Sequence, residues 1–440
     1  MLISFSVGNF LSFRDKAELS MVAIEGDHSL PGNKSDVPLA KEKSRPLTVL
    51  KSAAIYGPNA GGKSNFLRAL GHFSFFIIHS ANMHENEPLL FPGFALDPQK
   101  RLSPSEFEIR ILLDGIFYRY GFSADSKQVH DEWLFIAEKG KERFVFERIW
   151  DRTAAAYSYE FGQTGKRFEK FHRDGAIRNN ALLLSIASQG NVKSAKEIIE
   201  YISRIGMQYI YDGSIDDTIY IPLLTSAMRF ADIGINAIVA TPRKESSENG
   251  QNYGKAMIDL LPGSTEKKKY AFNLFFGQNR WKYVYADSEG NHVPISESLQ
   301  SDGTKRFFML ILQLSYIYAN GGGLVIIDEV DTSLHPALSE AFLKFVHQLP
   351  DAGLQLICTT HNPLLLNQDV FRRDQVWIAE KDRSGASSLT ALSDFKGLRK
   401  ESRLGKQYLE GRFGGLPILD SFALKEMLQQ LAELSSKENR

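Results

Sequence analysis

Gly57-Pro58-Asn59-Ala60-Gly61-Gly62-Lys63-Ser64 carries the spacing G-x-x-x-x-G-K-S, which suits the grip on a polyphosphate. Gly57, Gly61 and Gly62 let backbone amides turn inward around an anion. Lys63 offers an ammonium to the β- and γ-phosphates, and Ser64 a hydroxyl to Mg2+. With Asn65, these residues predict a site for a nucleotide's phosphates and Mg2+, without separating kinases, GTPases and mechanical ATPases. The competing explanation is a glycine-rich turn that fits by accident. Context argues against it: residues 49–56 read as a short buried strand, and 64–81 as a helix with Phe66, Leu67, Leu70, Phe73, Ile77 and Ile78 at helical spacing. A loop that opens a helix also gains that helix's positive end.

A second chemical cluster is Leu324-Val325-Ile326-Ile327-Asp328-Glu329, an apolar strand ending in two carboxylates. Carboxylates at the C-terminal end of a strand in a doubly wound sheet stand where ligands bind. Asp328 is the expected Mg2+ partner, and Glu329 is suited to polarise an attacking water. Strand alternation would turn Glu329 away, unless the backbone bends where the strand ends. Alone, the pair also reads as a solvated acidic turn.

Three further stretches accompany them. Glu297-Ser298-Leu299-Gln300-Ser301-Asp302-Gly303-Thr304-Lys305-Arg306 opens a helix about 25 residues before the acid pair. Its Ser-x-Gly turn is an anion site by the dipole argument, and Ser301 reads equally as a plain helix cap. Asp331-Thr332-Ser333-Leu334-His335-Pro336 follows Glu329, and Thr359-Thr360-His361-Asn362 ends the next apolar run. His361 reads either as a catalytic group or as a core histidine with one hydrogen bond.

These groups need a scaffold. Residues 2–7, 17–23, 107–113, 117–122 and 144–149 read as strands, and 25–45 as a polar loop. Residues 181–187, 193–205 and 221–233 read as helices, 242–254 as a polar loop, and 281–285 with 292–295 as strand, turn and strand. The last third alternates helix 306–319, strand 324–327, helix 337–348, strand 354–359 and strand 376–380. Short apolar strands separated by helices predict a mostly parallel sheet.

The order of phosphate loop, Ser-x-Gly turn, acid pair, Asp331–Pro336 stretch and His361 resembles the ABC-type ATPase head. The form Asp-Glu-x-Asp-x-x-Leu-His-Pro is similar to the SMC, RecF and OLD-type branch. The resemblance implies an α/β fold: a P-loop ABC-type head, a mixed sheet with helices, and an inserted mainly helical subdomain. It divides the chain into lobe I (1–150), a helical insertion (151–275), lobe II (276–390) and a tail packing on the head (391–440). It further implies that two heads clamp two ATP molecules. Ser301 and Gly303 would meet the γ-phosphate held by the partner, Thr332 to His335 would line the interface, and His361 would sense the γ-phosphate beside Glu329. Lys63, Glu329 and His361 are thus the expected catalytic groups, with Ser64 and Asp328 at the metal. The stretch Gln300-Ser301-Asp302-Gly303-Thr304 departs from the transporter signature L-S-G-G-Q, and His335 replaces the transporter aspartate. Gln99 and Gln128 lie where a coupling glutamine would fall.

The opening 3–13, Phe230-Ala231-Asp232-Ile233-Gly234-Ile235 and the tail Tyr408-Leu409-Glu410-Gly411-Arg412-Phe413-Gly414-Gly415-Leu416-Pro417 resemble AAA-type, ABC-like bacterial ATPases of the RloA and abortive-infection AbiL kind. That resemblance implies antiphage defence beside a separately encoded effector, a nuclease or similar. About 80 residues follow His361, without an Asp-x-Asp that would build a TOPRIM metal site, so the effector is expected on another chain. Asp374, Glu380 and Asp382 read as surface charges. The rival is a RecF-like DNA clamp in repair or recombination, with basic tracks at Arg243-Lys244, Lys267-Lys268-Lys269 and Arg399-Lys400 with Arg403.

Composition agrees with this frame. The 440 residues hold 52 basic and 52 acidic side chains and one cysteine, with 43% hydrophobic residues, ordinary for a globular chain. Zero net charge argues against coating nucleic acid through bulk charge, leaving local contact. One cysteine cannot form an internal disulfide, which suits a reducing cytoplasm. The N-terminus lacks the pattern of a signal peptide, and the apolar runs are too short for a bilayer, so a cytoplasmic dimer or higher oligomer without membrane contact is expected.

Overall fold

The computed structural model describes residues 1–40, 45–138, 141–207, 217–231, 234–242, 279–351, 353–398, 403–417 and 421–438. Two large sheets carry the architecture. The first is antiparallel and runs from Ala156–Phe161 through Arg143–Asp151, Val129–Ala137, Ile116–Ala124, Ser105–Leu113 and Leu2–Gly8 to Ala17–Ser20. The second runs Ile205–Met207, Gly323–Ile327, Leu354–Thr359, Ser52–Tyr56, Val376–Lys381, Ser387–Ala391. All its pairings are parallel except the last, as expected for apolar strands covered on both faces.

Alternation along Ser52–Tyr56 shows how the layers form. Ala53 and Ile55 join one core with Phe66, Leu70 and Phe73 of the helix Lys63–His79 and with Phe5, Phe107 and Phe122 of the first sheet. Ala54 and Tyr56 join the opposite core with Phe308 and Leu312 of the helix Asp302–Ala319 and Phe342 and Leu343 of the helix Pro336–Gln348. The helix after the phosphate loop is therefore packed between the sheets. Phe73 stacks on Phe122 at 5.6 Å and meets Phe5 edge-on at 5.4 Å. A third sheet, Ala237–Pro242 with Asn279–Ala286 and His292–Ser296, lays Trp281 and Tyr283 on Phe308 at 5.0 and 5.6 Å. Among the described residues no helix is long and apolar enough to cross a membrane.

Several sequence expectations need correction. Residues 49–56 are two strands: Leu47–Leu50 pairs with Lys34–Val37, inside the stretch read as a polar loop, while Ser52–Tyr56 enters the large sheet. Lys51 makes the break, its ammonium bonding the carbonyls of His347 and Leu349 at 3.2 and 2.8 Å. Val129–Ala137 is a full strand that its run His130-Asp131-Glu132 disguised. Glu132 is fully buried, facing Arg148 at 3.7 Å, and accepts from the Leu183 and Leu184 N–H groups and from Tyr120. Among the described residues, 151–275 hold the helices Lys166–Arg173, Leu183–Gln189, Lys193–Ser203 and Ile221–Phe230, and the strands Ala156–Phe161, Ile205–Met207 and Ala237–Pro242 join the two large sheets and the three-stranded one. Asp374 is buried in a bidentate pair with Arg372, at 2.9 and 2.7 Å, and is no surface charge. Asp232 and Ile233, most of the 242–254 loop, and the basic runs Arg243-Lys244, Lys267-Lys268-Lys269 and Arg399-Lys400 lie outside the described residues.

Candidate functional site

The phosphate loop leaves the central parallel strand at Tyr56 and enters the helix at Lys63. Two of its glycines are required by both backbone and space. Gly57 sits at φ +152°, where a Cβ would lie 2.3 Å from the Ala379 carbonyl oxygen; Gly62 sits at φ +109°, where one would lie 2.4 Å from Ser387 Oγ. Ala60, between them, is also left-handed at φ +63°. Ser12 buttresses the loop's end, its Oγ accepting from Asn65 Nδ2 at 2.9 Å and from Ser387 Oγ at 2.9 Å.

Lys63 is buried and donates to the carbonyls of Gly57 and Pro58 at 2.9 and 3.0 Å. Burial lowers its pKa, against the pull of Asp328, Glu329 and Asp331. Ser64 Oγ donates to Asp328 Oδ1 at 3.1 Å, across 264 residues of chain. The same Oδ1 accepts from Thr359 Oγ1 at 2.5 Å, and Thr359 Oγ1 accepts from the Glu329 N–H at 2.7 Å. One buried hydroxyl thus fixes both members of the acid pair.

Glu329 stands where the backbone bends as the strand ends, against the alternation that would turn its side chain away. Its φ is +51°, in the left-handed region that costs a non-glycine residue on the order of 1–2 kcal/mol. Three groups hold it there. Thr359 takes its N–H, Arg306 Nη2 donates to the carbonyls of Asp328 and Glu329 at 2.8 and 2.9 Å, and Thr332 Oγ1 donates to Glu329 Oε2 at 2.8 Å. His361 Nε2 lies 3.3 Å from Glu329 Oε1. The Thr332 hydrogen bond holds the Glu329 carboxyl below the usual carboxylate range, partial burial opposes this, and His361 adds to the lowering. Glu329 is therefore an ionised, half-exposed carboxylate beside the loop's lysine, able to accept a proton from water.

Ser301 caps the helix Asp302–Ala319, accepting from the Thr304 N–H at 3.1 Å, so the helix-cap reading of Ser301 is realised. A Cβ on Gly303 would lie 2.5 Å from the Ser333 carbonyl, so glycine is needed where this turn meets the Asp331–Pro336 stretch. Ser333 itself is left-handed at φ +62°. His335 caps the next helix, its Nδ1 accepting from the Ala337 N–H at 3.2 Å. The structure thus gathers Lys63, Ser64, Asp328, Glu329 and His361 at one end of the parallel strands. Gly303 stands beside Ser333, and among the described residues the hydrogen bonds of the Ser301 side chain go to Thr304 and not to the phosphate loop of the same chain. Gln99 and Gln128 sit in turns, their N–H groups on Asp97 and Asp125.

Sequence reasoning gave Thr359, Arg306 and Ser12 no role. Thr359 and Arg306 lie inside stretches already singled out, and a hydroxyl two residues before His361 is the local cue.

The donor set fits Mg2+. Ser64 Oγ and Asp328 Oδ1 are two hard oxygens in hydrogen-bond contact, and Mg2+ takes few protein ligands, completing its shell with phosphate and water. Among the described residues there is no cluster of three or more acidic, histidine or cysteine ligands.

Residues 52–367 match the protein family described as "AAA domain, putative AbiEii toxin, Type IV TA system". No curated protein matches the chain significantly. Among solved structures, the chain is similar to the SMC head domain from Thermotoga maritima, with 14% identity and a TM-score of 0.37 over 89% of this chain and 98% of that one. It is also similar to an SMC head bound to the C-terminal winged-helix domain of ScpA, with 11% identity and a TM-score of 0.39 over 91% of this chain and 98% of that one.

Proposed function

The chain belongs to this AAA-domain ATPase family, and we propose that it binds and hydrolyses ATP between two heads joined face to face. The carrying observation is the relay Ser64–Asp328–Thr359–Glu329, with His361 on the same carboxylate. It sets a phosphate-loop hydroxyl and a half-exposed carboxylate a few bonds apart from remote parts of the chain. In this reading the loop amides and Lys63 bind the phosphates, and Ser64 and Asp328 hold Mg2+, which neutralises charge on the phosphate oxygens when bound. Glu329 orients a water and accepts its proton as the water oxygen bonds to the γ-phosphorus and the bond to the bridging oxygen breaks. His361 and Thr332 keep the carboxylate aimed. Ser301 and Gly303 serve the γ-phosphate of the partner head, and Thr332 to His335 line the joint.

We further propose that closure of the heads regulates a separate effector protein encoded nearby, in a cytoplasmic, abortive-infection-like defence against phage. The family's description, which names a toxin and a toxin–antitoxin system, supports this direction.

Phosphate release tests the enzymatic part. Wild-type protein should hydrolyse ATP with Mg2+, Lys63→Ala should lose nucleotide binding, and Glu329→Gln should bind ATP yet turn over at least about 100-fold more slowly. Undiminished hydrolysis by Glu329→Gln would refute the assignment of the base. Phage challenge of cells carrying the chain and its neighbouring gene, with and without Lys63→Ala, tests the defence role; equal plating in both would remove it.

A further inference from the structure

The tail stretch 408–417 has no part in the relay, yet it reaches the first turn of the phosphate loop. The described segment 403–417 packs back on the second sheet through buried Leu404, Tyr408 and Phe413. The Tyr408 ring meets Tyr56, the residue before the loop, edge-on at 5.9 Å, and its hydroxyl donates to the Gly415 carbonyl at 2.8 Å. The Gly415 N–H donates to Glu380 Oε1 at 2.6 Å. Two glycines are needed here. Both are left-handed, at φ +69° and +67°; a Cβ on Gly414 would overlap the Glu380 carboxylate, and one on Gly415 would stand 2.9 Å from Ile378 Cγ2 and 3.5 Å from Gly57 Cα. Burial, then Glu380, raises the Tyr408 pKa. At its other end the segment touches the chain after His361: a Cβ on Gly405 would lie 2.2 Å from the Pro363 carbonyl and 3.5 Å from that of Leu366. Glu380, read from sequence as a surface charge, is thus the anchor of this strap.

We propose that Tyr408, Glu380 and Gly415 are positioning residues for the nucleotide: they hold the first turn of the phosphate loop at Gly57 and, through Gly405, tie it to the segment that carries His361. The proposal rests on the ATP reading above. The strap would act on the loop's grip, hence on affinity, without touching the phosphates.

The test is titration of the full chain with a fluorescent, non-hydrolysable ATP analogue, with the melting temperature of the nucleotide-free protein measured alongside. Tyr408→Phe and Glu380→Ala each remove one hydrogen bond and should weaken binding about fivefold. Glu380→Gln keeps an acceptor for Gly415 and should stay within about twofold of wild type. Gly415→Ala should weaken binding at least as much as Tyr408→Phe, and the exposed Arg412→Ala should not change it. As a readout free of substitutions, the analogue should slow hydrogen exchange across 404–416 in the wild-type chain. Unchanged affinity in both Tyr408→Phe and Glu380→Ala overturns the proposal. So does a loss that merely tracks a lower melting temperature, with Glu380→Gln no better than Glu380→Ala. Failure of the wild-type chain to bind the analogue overturns the ATP reading itself, a separate result.

Discussion

Thr359→Val is the sharpest perturbation available to the acid pair. The side chain is fully buried, valine matches its shape, and only the hydroxyl is lost. That hydroxyl donates to Asp328 at 2.5 Å and accepts from the Glu329 N–H at 2.7 Å. A hydrogen bond to a charged group contributes about 1.5–3 kcal/mol, and a buried N–H left without an acceptor costs about 1–3 kcal/mol. The expected loss of stability is therefore about 2–4 kcal/mol, allowing for partial relaxation. Function should fall for a separate reason. Glu329 is held at φ +51°, a conformation costing on the order of 1–2 kcal/mol, and the Thr359 bond is one of the restraints that offset it. Without that bond the backbone can return to an extended form that turns the carboxylate away. A misplacement worth about 1.4–2.8 kcal/mol in the transition state lowers the rate roughly 10- to 100-fold. Denaturant unfolding and steady-state phosphate release measure the two effects, and Thr359→Ser should restore most of both. Wild-type turnover by folded Thr359→Val would refute the role of this hydroxyl in aiming Glu329.

Two further outcomes follow from ionisation. Glu329 has a lowered pKa, with the Thr332 hydrogen bond as the first cause, so its basic form persists to lower pH than an ordinary carboxylate's. Thr332→Val should therefore move the acid limb of the ATPase pH profile upward, as rates across pH would show; a downward shift would contradict the assignment. His72 and His347 have pKa values lowered by burial to about 4 and about 3 from 6.5, so below pH 6.5 the unfolded chain binds protons that the folded chain refuses. Stability should be full above about pH 6.5 and fall as pH drops, by roughly 1.4 kcal/mol per pH unit for each histidine. Denaturant unfolding at pH 5, 6 and 7 reads that slope, and His347→Asn should remove about half of it.

What could be read from the chain, and what could not, divides along the range of the interaction. The phosphate loop, its helix and the strand before Asp328 announce themselves within a dozen residues, through glycine spacing and apolar periodicity, and alternation shows that Glu329 can face the site only if the backbone bends. Residues whose meaning depends on a distant partner were opaque. Glu132 looks like part of a polar turn until Arg148 and the 183–184 amides surround it. Asp374 and Glu380 look solvated until Arg372 and Gly415 are placed. Lys51 interrupts an apolar run because two carbonyls near 348 receive its ammonium. Thr359 gives the same lesson inside the site. Its neighbour His361 stands out by type, whereas a threonine at a strand end is ordinary until Asp328 and Glu329 are seen on either side of its oxygen.

The central claim is that ATP joins two copies of this chain through the relay and the Ser301–Gly303 turn. The most direct measurement is the solution mass of Glu329→Gln with Mg2+ and saturating ATP, compared with the same protein in ADP. ATP should give twice the 49.5 kDa chain mass, and ADP should release the pair. A single-chain mass with ATP demonstrably bound would contradict the account.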